Sequence, residues 1–257
     1  MLSEEQLIEA VESSIFLPSL PGRLEALNIP GVQGCFAPGI RSGIIDRVGA
    51  TRLTSEQTPK VIKAVREHFE ALGLGFGWFV ASSDTPDDLQ EHLQQAGFRQ
   101  SSWTMAGMAH TDLYHEFPTR SGVTVRPASA EERHLVSRAY EIGFPMKKTT
   151  SDFFADMPSI MHYLVYLENI SEPVGATSMF YEQSHNAVVL EASAILEEYR
   201  GQGIYNNLIA QRIHDARRDG IKAAVVQARD TTSAPALRKR GFIKKSEIQI
   251  WLPPQEA

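Results

Sequence analysis

A strand, a glycine-rich turn and a long helix follow one another between residues 186 and 219, and this segment constrains the fold more than any other part of the chain. The mostly apolar segment 186–196 is typical of a β-strand. Strand alternation predicts one face with Val188, Leu190, Ala192, Ala194 and Leu196, and the other with Val189, Glu191, Ser193 and Ile195. Gly201 and Gly203 follow and allow a tight turn. Over 204–219 the apolar residues recur at helical spacing. The apolar face predicted for this helix carries Tyr205, Leu208, Ile209, Ile213 and Ala216. A strand that leads through a short turn into a helix favours an α/β fold.

The glycine-rich turn has the features of an anion-binding site. The first N–H groups of a helix have no partner within the helix, and the helix dipole places partial positive charge there. Glycines let a ligand approach the backbone closely, so the turn suits a pyrophosphate. The segment Arg200-Gly-Gln-Gly203 does not fit a P-loop, because no Gly-Lys-Ser/Thr follows, and it does not fit the G-x-G-x-x-G dinucleotide motif.

A strand, a short helix, a Gly-Phe pair and a second strand occur twice, at 76–100 and at 223–251. This weak internal similarity predicts two related α/β domains in tandem, each with a mixed sheet, although any α/β protein can contain such a unit twice. Proline, serine and glycine interrupt the patterning at 117–122. We therefore expect one domain over residues 1–120 and a second over 121–257.

Helical spacing predicts further helices in both halves of the chain. One begins at Thr58-Pro59, with Thr58 as its N-cap, and ends at Gly73. Another covers 130–142, and a short one covers 151–158. The residues expected on the buried side of the helix at 130–142 are Leu135, Ala139 and Ile142.

Composition excludes several classes of protein. The 257 residues include one cysteine, Cys35, which rules out an internal disulfide framework and a cysteine-rich zinc site. No cluster of His, Asp and Glu has metal-ligand spacing, so no metal is expected. No window approaches about 18 consecutive apolar residues, so no membrane span is expected, and the acidic start of the chain lacks the basic region of a signal peptide. These features favour a reducing cytoplasm.

The charge of the chain argues against a nucleic-acid partner. The net charge is −6, and it lies in residues 1–120, whereas residues 121–257 are balanced. Contacts with phosphates along a nucleic acid need clustered Lys and Arg. The sequence therefore predicts neither a nucleic-acid nor a membrane partner.

From Arg200 to Tyr205 the sequence resembles the GCN5-related N-acetyltransferases, the GNAT family. The family signature is Gln/Arg-x-x-Gly-x-Gly/Ala, and here Arg200 and Gly203 match it while Tyr205 replaces the last small residue. The family also places a strand before the motif, and a helix, a strand, a short helix and a Gly-Phe pair after it. All of these occur in that order between 186 and 243, and the resemblance covers about 123–253.

The resemblance implies an acyl-CoA N-acyltransferase fold with acetyl-CoA as co-substrate. The strand before the motif would pair its backbone with the pantetheine arm, and the turn and first helical turn would hold the pyrophosphate. The residues implied are Ser193, Ala194 and Ile195 on the strand and Arg200, Gly201, Gln202, Gly203, Ile204, Tyr205 and Asn206 in the turn and helix. A fainter likeness at 35–112 lacks the motif. The domain at 1–120 is therefore expected to be a degenerate copy that forms one wall of the acceptor site.

Glu191 is the candidate catalytic residue. An amine is mostly protonated at pH 7 and must lose a proton before it attacks. A carboxylate on an otherwise apolar strand is costly to bury unless it is paired or its pKa rises, and a raised pKa would suit a base. Many members of the family place an acidic residue in this strand. An ion-paired or solvent-facing structural glutamate remains the alternative.

Leu237 is a departure from the family pattern. The family often has a tyrosine at this position that protonates the leaving thiolate, and leucine cannot donate a proton. Water, Tyr205 or Ser233 would have to act instead, or the thiolate would leave unassisted.

We therefore expect an N-acetyltransferase that moves the acetyl group of acetyl-CoA to a primary amine of a small molecule or peptide, by direct attack in a ternary complex. A non-catalytic acyl-CoA-binding module with a sensing or regulatory role is the alternative. The sequence does not specify the acceptor, the length of the acyl chain or the oligomeric state.

Overall fold

The computed structural model describes residues 2–144 and 146–254. In these residues helices and strands alternate along most of the chain. In chain order they are α1 (Glu4–Ser13), β1 (Glu25–Ala26), β2 (Gln33–Phe36), β3 (Arg47–Gly49), α2 (Thr58–Leu72), β4 (Gly77–Ala81), α3 (Leu89–Gln95), β5 (Arg99–His110), β6 (Val123–Pro127), α4 (Arg133–Gly143), α5 (Lys148–Ala155), β7 (Met161–Leu167), β8 (Gly175–Glu182), β9 (Ala187–Ile195), α6 (Ile204–Arg218), β10 (Ala223–Arg229), α7 (Ser233–Arg238) and β11 (Ile243–Leu252).

The chain forms two compact units. Unit A consists of Ala109–Val226 with the first residues of the chain up to Gln6. Unit B consists of Leu7–Met108 with the chain from Gln227 onward. These units are defined by contacts between residues in the structure, whereas the domains expected at 1–120 and 121–257 were inferred from similarity within the sequence. The domain boundary and the role of the first domain therefore stay predictions.

Unit A contains a mixed sheet, as the sequence predicts. Strands β6, β7, β8 and β9 pair in that order, each antiparallel to the next. Strand β10 pairs with β9 in the parallel sense, and α6 supplies the crossover that a parallel pair requires. Both α4 and α6 pack against β8 and β9.

Helix α6 is held on this sheet by an apolar cluster. Val165, Val174, Ile204 and Leu208 are buried in it. Side chains that are partly buried against it include Ile195, at the end of β9, and Tyr199 and Tyr205, on either side of the glycine-rich turn. The cluster therefore fixes the strand, the turn and the start of the helix relative to one another.

Unit B repeats the central connection of unit A. Strands β2 and β3 are antiparallel, α2 follows, and β4 pairs with β3 in the parallel sense. In unit A the same order is β8, β9, α6 and β10. Trp78 on β4 and Phe69 on α2 are fully buried in the core of unit B.

Most predicted elements are present, and three details are wrong. Thr58 is the first residue of α2 and not its N-cap, a position that Gln57 occupies. Helix α5 spans Lys148–Ala155 rather than 151–158, because a residue that precedes a proline disfavours the helical conformation and the chain has Pro158. The buried side of α4 carries Val136, Ala139 and Tyr140, whereas Ile142 is 52% exposed. The predicted buried face is rotated about the helix axis relative to the observed one, and the two faces have only Ala139 in common.

None of the described helices combines the length and the apolar character that crossing a membrane requires.

Candidate active site

Strand β9 contains a β-bulge in its second half. Thr177 of β8 lies opposite Ser193. Two residues further along β8, Met179 lies opposite Leu190, which is three residues from Ser193. One strand therefore has an extra residue between these pairs, and such an insertion bends the strand and interrupts the hydrogen-bond ladder.

Glu191 and Ala192 are the two bulge residues, and both lie opposite Ser178. The sequence prediction was strict alternation along 186–196. It placed Glu191 on one face with Val189 and Ser193. That prediction is wrong across the bulge, because an extra residue changes the phase of the alternation. The candidate base therefore lies at an irregular point of the strand.

The second half of β9 has an open edge. The parallel ladder joins Ala187–Val189 to Ala223–Val225, and among the described residues it does not continue along β9. Backbone groups of Leu190–Ile195 that face away from β8 can therefore pair with another extended chain. Ser193, Ala194 and Ile195, the residues expected to meet the pantetheine arm, lie on this stretch.

The turn after β9 depends on two left-handed glycines. A short 3₁₀ helix, Glu197–Tyr199, comes first. Gly201 then has a φ of 73° and Gly203 a φ of 80°. A β carbon at either position would meet no protein atom within 4 Å. The backbone conformation, and not crowding, therefore requires glycine at both positions, and the space beside them is open.

Helix α6 begins without a cap. Gly203 occupies the N-cap position and no side chain bonds to the first turn. Within the described part of the chain, the N–H groups of Gly201, Gln202, Gly203 and Ile204 donate to no protein acceptor. The N–H of Asn206 is already engaged, since it donates to the carbonyl of Gly203 at 3.2 Å. Four open donors at the positive end of a helix dipole form a site for an anion.

Side chains of the turn hold its shape. Arg200 donates from Nε to the carbonyl of Ile195 at 2.8 Å. Gln202 donates from Nε2 to the carbonyl of Glu198 at 3.1 Å, and its Oε1 accepts from Arg120 at 2.7 Å. The side chains of Arg200 and Gln202 are therefore engaged with the protein, and it is the backbone of the turn that is available to a ligand.

Two asparagines in the first turn of α6 fasten the segment before β6. Asn207 is 8% exposed, and its amide pairs with both backbone groups of Arg120, at 3.0 Å and 2.9 Å. Asn206 donates to the carbonyl of Pro118 at 2.7 Å. Sequence analysis did not identify this contact, although an asparagine among the apolar residues of a helix is a signal for one.

Glu191 is half-buried, and a buried arginine lies beside it. Arg212 of α6 is 1% exposed and donates from Nη1 to the carbonyl of Glu191 at 3.2 Å. Burial lowers the pKa of Arg212, while the hydroxyls of nearby tyrosines and the charge of Glu191 oppose that change. The hydrophobic pattern does not mark Arg212 as buried, although this residue lies four positions from Leu208 and from Ala216 on the apolar stripe of the helix.

The two side chains considered as proton donors, Ser233 and Tyr205, lie in different units. Leu237 is in α7, in unit B, and is 1% exposed. Ser233 begins the same helix. Tyr205 is in unit A, half-buried against the apolar cluster under α6.

No group of three or more His, Cys, Asp or Glu side chains in residues 2–144 and 146–254 could hold a metal ion.

Comparison with known families gives one match. Residues 130–242 match the family described as acetyltransferase (GNAT) family. This range includes β9, the glycine-rich turn and α6. None of the curated proteins is a significant match to the sequence.

Solved structures with the same fold are distant in sequence. A GCN5-related N-acetyltransferase from Kribbella flavida is 15% identical, with a TM-score of 0.68 over 98% of this chain and 95% of that one. One from Sphaerobacter thermophilus is 15% identical, with a TM-score of 0.61 over 96% and 86%. A tandem GNAT protein from the clavulanic acid biosynthesis pathway is 12% identical, with a TM-score of 0.60 over 99% and 96%.

Identities this low indicate a shared fold and nothing about the acceptor. That fold is the one used by acyl-CoA N-acyltransferases. Residues 130–242 of this chain match the GNAT acetyltransferase family, and the chain shares its fold with solved structures of that family.

Proposed function

We propose that this chain binds acetyl-CoA along the open edge of β9 and at the uncapped start of α6, and moves the acetyl group to a primary amine of a small molecule or peptide. One observation carries the proposal. The open edge at Leu190–Ile195 leads directly into the four open N–H groups of Gly201–Ile204.

The two parts of this arrangement suit the two parts of acetyl-CoA. The amides of the pantetheine arm have the donors and acceptors of a peptide, so the arm can pair with a strand edge. The pyrophosphate is an anion, and the open N–H groups at the start of α6 favour an anion. Together they would place the thioester at the bulge end of the open edge, near Glu191.

The reaction we propose is direct attack in a ternary complex. Glu191 takes a proton from the acceptor ammonium, and the neutral amine attacks the thioester carbonyl carbon. The oxyanion that forms would be stabilised by the backbone N–H of Ile195, which faces away from β8 because the N–H of the next residue, Leu196, donates to the carbonyl of Val174. The carbon–sulfur bond then breaks, the proton that the nitrogen still carries in excess passes through water to the CoA thiolate, and the amide and CoA are released.

A second candidate is a non-catalytic acyl-CoA-binding module. Leu237 favours it, because this buried aliphatic side chain stands where the family often has a proton-donating tyrosine. The two candidates share the binding site and differ only in turnover.

Substituting Glu191 separates the two candidates. Purified protein is incubated with acetyl-CoA and a panel of primary amines, and released thiol is measured, while acetyl-CoA affinity is measured by calorimetry. Glu191→Gln should lose turnover and keep its affinity. Glu172→Gln removes an exposed carboxylate of the same unit and should change neither. Binding without turnover in the wild-type protein would support the module, and turnover that survives Glu191→Gln would refute the role of Glu191.

Other aspects of the function rest on composition. Cys35 is buried and the chain has no second thiol, which suits a reducing compartment, and we propose a cytoplasmic location.

A further inference from the structure

Buried side chains complete the hydrogen-bond ladder at the bulge of β9. A bulge leaves backbone groups of the extra residue without their usual partners, and a buried carbonyl without a partner is costly. Here the carbonyl of Glu191 accepts from Arg212 at 3.2 Å, and the carbonyl of Ala192 accepts from the hydroxyl of Thr177 at 3.0 Å. Both carbonyls of the bulge are therefore satisfied from outside the ladder.

Arg212 joins the two strands at this point. Its Nη1 also donates to the carbonyl of Ser178, at 2.9 Å, on the strand opposite the bulge. Its Nε donates to the carbonyl of Leu208, at 3.0 Å, in its own helix. The guanidinium thus ties α6, β8 and β9 together at the residue pair where the strands change register.

The contacts of Arg212 indicate a role beyond stability. The side chain is 1% exposed, and among the described residues it makes no ion pair. A buried charge without an opposite charge in contact is expensive, and an apolar side chain of similar size is often as stabilising. What an apolar residue cannot do is bond to two carbonyls on two strands, since only the planar fork of a guanidinium offers several donors in fixed directions.

We propose that Arg212 and Thr177 are positioning residues, which hold the bulge in the form that places Glu191 and the open edge of β9 for the acyl transfer. This inference rests on the proposed function. Helix α6 would then have two roles. Its N-terminus binds the anion, and its Arg212 holds the strand that carries the base.

The charged and titratable groups around Arg212 come from four elements. Glu191 lies on β9, Tyr140 on α4, Tyr163 on β7 and Tyr205 on α6. Among these groups Glu191 alone is a carboxylate. The positive charge of Arg212 therefore acts directly on the candidate base, and its removal should disfavour the ionised form of that carboxylate.

Thr177 allows a test with a matched pair of variants. Thr177→Val keeps the shape of the side chain and removes the hydroxyl that satisfies Ala192, whereas Thr177→Ser keeps the hydroxyl. We expect Thr177→Val to lower kcat/KM by roughly tenfold or more, because small displacements of a catalytic group cost up to about 100-fold, and Thr177→Ser to restore most of it. Hydrogen exchange at residues 190–195 should accelerate in Thr177→Val only.

Arg212 is tested with two variants that separate charge from geometry. Arg212→Lys keeps the positive charge and loses the fork. Arg212→Met loses both. We expect both to lower kcat, and only Arg212→Met to move the acidic limb of the pH profile of kcat/KM to higher pH. Ile213→Val, a buried change on the same helix, should lower stability without changing the pH profile.

The outcomes separate this inference from the proposed function. Wild-type kcat/KM in Thr177→Val, or equal hydrogen exchange in Thr177→Val and Thr177→Ser, would overturn the positioning role even if acetyl-CoA is the substrate. If the Arg212 variants do not fold, the Thr177 pair decides. If the wild-type protein neither binds nor consumes acetyl-CoA, the proposed function fails and the positioning role for that reaction fails with it. Unchanged acetyl-CoA binding in a Gly203→Glu variant would refute the anion site alone.

Discussion

Replacing Gly203 with glutamate tests the anion site, and Gly220 provides a matched control at the other end of α6. Gly203 has a φ of 80° and Gly220 a φ of 78°, and a β carbon at either position meets no protein atom within 4 Å. The two substitutions therefore impose the same backbone strain and cause no steric clash. They differ in position, since only Gly203 lies beside the open N–H groups.

The size of each effect follows from the strain and the ligand. A left-handed conformation costs an L-residue about 1–2 kcal/mol. In a protein of this size 1 kcal/mol shifts Tm by about 2–4 °C, so both variants should melt about 2–8 °C below the wild-type protein. Acetyl-CoA at 100 times its Kd adds about 2.7 kcal/mol of stability, which raises Tm by about 5–11 °C.

Thermal unfolding of the three proteins with and without acetyl-CoA is the assay. The wild-type protein and Gly220→Glu should gain stability from the ligand. Gly203→Glu should gain none, because its carboxylate occupies the positive end of the helix and repels the pyrophosphate. Equal gains in all three proteins would refute the placement of the anion at the start of α6. If the gain in Tm from acetyl-CoA is reduced equally in Gly203→Glu and Gly220→Glu, the reduction is caused by backbone strain alone.

Three further predictions concern other parts of the chain. Calorimetric titration should give one acetyl-CoA bound per chain. Gly143→Ala should lower both Tm and turnover, because its β carbon would lie 2.5 Å from that of Ala194, and such overpacking costs about 1–3 kcal/mol. Asp46 is fully buried and burial raises its pKa to about 7, so the carboxyl binds its proton more tightly in the folded than in the unfolded chain. The contribution of Asp46 to stability is therefore present at acid pH and is lost as the pH rises from about 4 through 7. Denaturant unfolding at pH 5 and at pH 8 measures this loss. Between these two pH values Asp46→Asn should lose less stability than the wild-type protein.

The bulge could not be predicted from the sequence. The segment 186–196 is mostly apolar and contains no glycine or proline, so the sequence predicts a regular strand in which side-chain alternation puts Glu191 in phase with Ser193. The extra residue becomes visible only when the partner strand is known, because a bulge is a property of a pair of strands. The strand and its bounds were predictable, and the direction of its most important side chain was not.

The buried face of α6 was predictable in part, as was the strand before it. The period of α6 identified Leu208, Ile209 and Ile213 as buried, and this is confirmed. Arg212 lies on the same stripe, but a charged residue is counted as exposed by any pattern based on hydrophobicity. Its acceptors are backbone carbonyls of distant strands, which have no signature in the sequence.

The two crossover helices explain why one turn carries the site. In α2 the turn before the helix engages the first N–H groups, since the N–H of Gln57 donates to Oγ1 of Thr54 at 3.3 Å and the N–H of Thr58 donates to the carbonyl of Thr54 at 3.1 Å. Pro59 removes a further donor from the first turn. In α6 the glycines offer no side chain for capping, and within the described residues the N–H groups of Gly201–Ile204 donate to no protein acceptor.

Both helices follow an antiparallel strand pair and lead into a parallel strand. Topology alone would therefore predict an anion site equally well at the N-terminus of either helix. The two helices differ in the acceptors available to their first N–H groups. At a capped N-terminus these N–H groups donate to the protein, whereas at an uncapped one they can donate to a ligand. If the proposed function holds, the residues between strand and helix decide which turn binds the donor, and a chain with two copies of the connection is expected to bind a single acetyl-CoA.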